Sequence, residues 1–189
     1  MIVSVTGPSG IGKGYLISGL TPLFPAMREP TWLTTRPLRP GEENRLSRVN
    51  ISLDEFQILE RDGQIVLAQQ IFDHYYGLVL DPGGFQEGVW ITELHVRNIT
   101  RALDLGLPIH LIALIPTDIS FLRLRLEQYR ATETENQIKQ RLGEAEEEIE
   151  WIIQNHERFI HTFTISQDNE MYVVEEVAAA IKNIPEEVD

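Results

Sequence analysis

The residues Gly7-Pro8-Ser9-Gly10-Ile11-Gly12-Lys13 follow directly on the apolar run Ile2-Val3-Ser4-Val5-Thr6. A glycine-rich turn between a strand and a helix aims several backbone N–H groups and the helix N-terminus at one point, which favours an anion, and a lysine at its end adds a full positive charge. The spacing G-x-x-x-x-G-K between such flanks predicts a phosphate-binding loop for a nucleoside triphosphate, running from Gly7 through Lys13 to Gly14 and Tyr15. Where a serine or threonine hydroxyl would meet magnesium the chain has Gly14, so no residue of the loop is assigned as a metal ligand.

Arginines supply the second signal. Arg28, Arg36, Arg39, Arg45 and Arg48 fall in one window, and Arg123, Arg125, Arg130, Lys139 and Arg141 in another. The guanidinium fork grips phosphate oxygens in pairs, so two such windows point to two small phosphorylated ligands. A net charge of −13 argues against a nucleic-acid surface, which would need concentrated positive charge. The chain has no cysteine, which rules out disulfides and thiolate metal sites. No apolar run approaches the ~18 residues of a membrane span, and no basic region with an apolar leader opens the chain. A soluble, cytoplasmic protein without membrane or nucleic-acid partners is the expectation.

The elements that must hold these residues follow from periodicity. With 189 residues, 42% of them apolar, the chain fits one domain with insertions. Strands are predicted at 2–6, 89–94, 109–115 and 163–166. Helices are predicted at 13–20, 96–105, from 118 onward, at 137–155 and at 171–181. The alternation implies an α/β fold with a parallel sheet covered by helices. The acidic stretch 144–150 reads as a solvated helix face. Residues 31–88 break the alternation, with a turn-rich Arg36-Pro37-Leu38-Arg39-Pro40-Gly41-Glu42, a helix at 53–61 and an apolar stretch at 64–71. This excursion reads as an inserted lobe at the carboxyl ends of the strands, where open α/β sheets bind ligands.

Taken together, the loop Gly7 to Gly14, the block Thr34-Thr35-Arg36-Pro37-Leu38-Arg39-Pro40-Gly41-Glu42, Tyr75-Tyr76-Gly77, Arg125-Leu126-Glu127 with Arg130, and Arg141-Leu142 resemble the guanylate kinases in order and spacing. The resemblance covers nearly the whole chain. It implies a P-loop nucleotide kinase fold in a single domain, 1–189, with an acceptor-binding lobe at about 31–88 and a helical lid at about 127–141. It also implies ATP and Mg2+ as cofactors, a small phosphorylated acceptor as partner, and a monomer or homodimer. By the same resemblance Arg36, Arg39 and Tyr76 hold the acceptor phosphate, and Glu42 belongs to the same substrate-binding set. Lys13, Arg130 and Arg141 act on the triphosphate with Arg125 nearby, and Glu93 is suited to holding magnesium or its waters. Phosphoryl transfer needs charge neutralised on donor and acceptor and water excluded, so no side-chain nucleophile is required.

Departures from the family gather on the acceptor side. Trp32 stands where a serine is usual, Arg48 where a tyrosine is, Leu67 where a glutamate reads guanine, Leu78 where a hydroxyl is and His95 where a second aspartate is. A leucine accepts no hydrogen bond, so poor discrimination for guanine is expected, with Gln69 or Gln70 as substitutes if the register differs. GMP is the acceptor by resemblance. The alternatives are another phosphorylated acceptor such as ribose 1,5-bisphosphate, whose kinase shares the pattern Gly41-Glu42-Glu43-Asn44, and a catalytically weak guanylate-kinase-like binding domain.

Overall fold

The computed structural model describes residues 1–38, 47–79, 88–130, 133–169 and 172–185. Among these, strands are β1 (Ile2–Thr6), β2 (Trp32–Thr34), β3 (Arg48–Asn50), β4 (Ile65–Ile71), β5 (His74–Val79), β6 (Trp90–Glu93), β7 (Ile109–Pro116) and β8 (Phe159–Ile165). The helices are α1 (Lys13–Leu20), α2 (Leu53–Arg61), α3 (Val96–Asp104), α4 (Ile119–Tyr129), α5 (Glu135–Gln154) and α6 (Val173–Lys182). One sheet has the order β6-β1-β7-β8 and the other β3-β2-β5-β4. In the first, β7 and β8 are parallel, and the steps Trp90 N to Met1 O and Leu94 N to Val5 O show that β6 runs with β1. The α/β reading with a parallel sheet therefore holds. No helix among the described residues is long and apolar enough to cross a membrane.

The chain divides into two compact units, Met1–Ile2 with Ala26–Thr92 and Arg97–Ile109, and Val3–Pro25 with Glu93–Val96 and His110–Asp189. The first contains the sheet that periodicity does not reveal. Its β2 and β3 are three residues each, too short to show alternation, and β4 and β5 form a hairpin whose turn places Phe72 at φ 54°. The face that carries Leu33 and Ile65 packs on Phe56 of α2, and Tyr75 lies 5.5 Å from the Phe56 ring. Helix α2 starts on a capping box in which Ser52 accepts from the Glu55 amide and the Glu55 carboxylate accepts from the Ser52 amide. The Ser52 amide, and with it the Ser52 hydroxyl, donates to the Glu55 carboxylate and holds it below its ordinary value.

The second unit holds β1 from Val3, β7 from His110, β8, and α1, α4, α5 and α6. Helix α5 begins two residues earlier than its apolar stripe, at a second capping box of Thr134 and Gln137. The acidic face expected at 144–150 is solvated at Glu146, Glu147 and Glu150, but Glu148 is only 5% exposed. Helical spacing places it in the stripe of Ala145 and Ile152, and its carboxylate lies 3.9 Å from His95 Nε2. Strand β8 starts four residues before its apolar signal because residues 160 to 162 face solvent.

Candidate active site

The phosphate loop is built by contacts with β7 and α4. Gly7 takes φ 150°, and a Cβ there would stand 2.3 Å from the Leu114 carbonyl oxygen, so no other residue fits. Beyond it the loop lies against α4: a Cβ on Gly10 would come within 2.9 Å of Leu126. Arg125 Nε donates to the Gly10 carbonyl at 2.8 Å, with its guanidinium 5.5 Å from both the Phe121 and the Tyr129 ring centres. The start of α4 is fixed by Asp118, which accepts from the Ser120 hydroxyl and from the Phe121 amide at 3.0 Å. These bonds hold the Asp118 carboxyl below the ordinary aspartate value.

Lys13, the first residue of α1, folds its ammonium back over the loop and donates to the carbonyls of Gly7 and, at 3.2 Å, Pro8. The ammonium is thus held against the backbone of the loop at the start of α1. Tyr15, two residues on, is exposed. Glu93, at the end of β6, brings its Oε1 to 3.9 Å from where a Cβ of Gly14 would be, so a carboxylate lies beside the loop position that lacks a hydroxyl.

Arg141 of α5 turns two sides to different partners. Its Nε and Nη2 donate to the two carboxylate oxygens of Glu133 at 2.6 and 2.8 Å, and its Nη1 reaches Ser9 Oγ in the loop at 3.4 Å. Arg130, which ends α4, places Nη1 3.6 Å from the same Glu133. Lys13, Arg125, Arg130, Arg141 and Glu93 are thus gathered in one unit with the loop. Glu133 is the residue that sequence reasoning missed: its place between two arginines was visible, but nothing in its type separates it from the surface glutamates of an acidic chain.

In the other unit, Arg36 follows β2 and Tyr76 lies on the neighbouring β5, directly opposite Thr34. The buried Thr34 hydroxyl accepts from the Arg36 amide at 3.1 Å. Asn50 of β3 donates to the carbonyls of Thr34 and Arg36 at 3.1 and 2.8 Å, so the backbone on either side of Thr35 is fastened to the sheet. Arg39 and Glu42 lie outside the described residues. Two other arginines of the basic windows have structural partners: Arg28 sits over the Trp90 ring at 5.9 Å, and Arg123 pairs with Glu127 and Glu135, which raises its pKa further.

No protein-family model matches the chain. It is 31% identical over 187 residues to the guanylate kinase of Symbiobacterium thermophilum, covering 96% of this chain and 84% of that protein. To the guanylate kinase of Lactobacillus acidophilus it is 32% identical over 154 residues, covering 79% and 74%. Among solved structures, guanylate kinase from Anaplasma phagocytophilum superposes with a TM-score of 0.67 at 19% identity over 97% of this chain and 82% of that one, which shows the fold. A lysine-bearing phosphate loop flanked by arginines, and relatives that match this closely over most of both lengths, lead to one conclusion: the chain belongs to the guanylate kinase family.

Proposed function

We propose that the chain is an ATP-dependent phosphotransferase that moves the γ-phosphoryl group of ATP to a nucleoside monophosphate, with GMP as acceptor. The observation that carries this reading is the loop itself, with the Lys13 ammonium folded over it and Arg141 Nη1 at Ser9. In the transfer, an acceptor phosphate oxygen forms a new P–O bond as the bond from the γ-phosphorus to the bridging oxygen of ADP breaks. The chain's part is to hold both nucleotides and to offset charge on the equatorial oxygens. Lys13, Arg130 and Arg141 serve the donor, and Arg36 and Tyr76 the acceptor phosphate. Arg125 holds the loop through Gly10.

The residues present fit a magnesium ion carried with the triphosphate. Glu93 puts one carboxylate beside Gly14, and among the described residues no group of three or more acidic, His or Cys side chains forms a metal cage. An ion of this kind binds through one or two carboxylates with phosphates and water completing its shell, and it neutralises phosphate charge. The relatives reported above are all guanylate kinases, which favours GMP over ribose 1,5-bisphosphate and over a role as a binding domain.

The test is a coupled assay of ADP release with ATP, magnesium and a panel of nucleoside monophosphates and ribose bisphosphates. Wild type is expected to turn over with GMP, and Lys13→Ala to lose at least about a hundredfold in kcat, the scale of one lost charge contact in the transition state. Near-normal turnover in that variant, or no ADP from any acceptor, rejects the reading.

A further inference from the structure

We infer that Glu133 is a positioning residue for phosphoryl transfer, which sets the plane of Arg141 and holds Arg130 beside it before a nucleotide binds. The inference rests on the phosphotransferase reading above and goes beyond it. A guanidinium has five N–H donors in a fixed fork, and a carboxylate that takes Nε and Nη2 together leaves only one rotation of the plane. Glu133 makes that paired contact with Arg141 at 2.6 and 2.8 Å, and the remaining amino group, Nη1, reaches Ser9 Oγ in the phosphate loop.

The same carboxylate stands 3.6 Å from Arg130 Nη1, which brings two cations to one side of the loop and offsets their mutual repulsion. The side chains of Arg130, Arg141 and Glu133 are 18%, 17% and 15% exposed, so this cluster is partly desolvated and screened less than a surface pair. Glu133 also sits just before the capping box of α5, whose Thr134 and Gln137 fix the backbone that carries it. The arginines are thereby held in place rather than recruited from solvent, and the orientation each would otherwise have to find is already set.

A purely structural role would lower stability and leave the chemistry alone. Positioning instead predicts a split between kcat and KM. In the full chain, Glu133→Ala is expected to lower kcat by about tenfold to a hundredfold, with the KM for acceptor and the melting temperature near wild type. Glu133→Gln, which keeps an acceptor oxygen without the charge, falls between. In an Arg141→Ala background the further loss from Glu133→Ala shrinks to about twofold, because the arginine through which it acts is gone. Wild-type kcat in both Glu133 variants, or an undiminished loss in the Arg141→Ala background, overturns the inference.

A second measurement does not depend on turnover. In the ligand-free protein the Arg141 Nε–H resonance should exchange slowly with solvent and lose that protection in Glu133→Gln. Fast exchange in wild type overturns the positioning role, whereas protection in a protein that transfers no phosphoryl group would show that the phosphotransferase reading is the one that fails.

Discussion

Trp32, Leu78 and Leu67 form one cross-strand row of the lobe sheet, with Trp32 opposite Leu78 and Leu78 opposite Leu67. They are 7%, 2% and 0% exposed, and the one polar atom among these side chains, Trp32 Nε1, donates to the Thr92 hydroxyl at 2.8 Å. Tyr76 and Thr34 lie two residues along the same face, and Gln69 pairs with Tyr76 rather than with Leu78. By the resemblance these positions usually carry a serine at Trp32, a hydroxyl at Leu78 and, at Leu67, a glutamate that reads the guanine edge. Acceptor affinity is therefore expected to depend on Arg36, while GMP and AMP differ by no more than about tenfold, since one missing polar contact in an apolar setting discriminates weakly. Calorimetric titration of both nucleotides against wild type and Arg36→Ala checks this. A preference for GMP of about a thousandfold, within reach of a polar readout, would refute it. Lys13 and the arginines were legible in the sequence because their type alone carries chemistry. Glu133 was not, because its meaning lies in what it touches.

Elements were legible where periodicity ran long enough to show. Helices α1 and α2 begin and end where the pattern places them, and β1 follows from five consecutive buried residues. The lobe sheet escaped because two of its strands have three residues each and the others alternate imperfectly across the irregularity between Ile65 and Leu67. Gly77 shows what the pattern could not. It lies opposite Leu33, and a Cβ there would stand 2.8 Å from Ile65 Cγ2 and 2.9 Å from Phe56 Cε2. The bare backbone lets α2 seat its phenylalanine on the sheet. Gly77→Ala is expected to destabilise the protein by about 1–3 kcal/mol, the cost of overpacking a filled core, read as a lower midpoint in denaturant melting. An unchanged midpoint would mean that Phe56 and Ile65 have room to retreat.

Across the whole chain, each compact unit gathers segments that sequence order keeps apart. Glu93–Val96 belongs with the phosphate loop although the residues just before and after it belong to the other unit. Such assembly depends on long-range packing and leaves no local trace, which is why the motifs could be read without showing which shared a unit. One of these long-range joints has a dynamic consequence. The loop is tied to α4 by the Arg125 bond to Gly10 and by Leu126 against Gly10, across more than a hundred residues of chain. Glycine-rich turns ordinarily fray on their own, but the middle of this one is fastened to α4. In hydrogen exchange the Ile11 amide, which donates to the Pro8 carbonyl at 3.2 Å, should then open at the same free energy as the amides in the middle of α4, and Arg125→Ala should separate the two. An Ile11 amide that exchanges far ahead of the helix in wild type would show that the joint does not hold the loop. If they move together, the stability of a helix outside the loop sets how often the phosphate site exists at all.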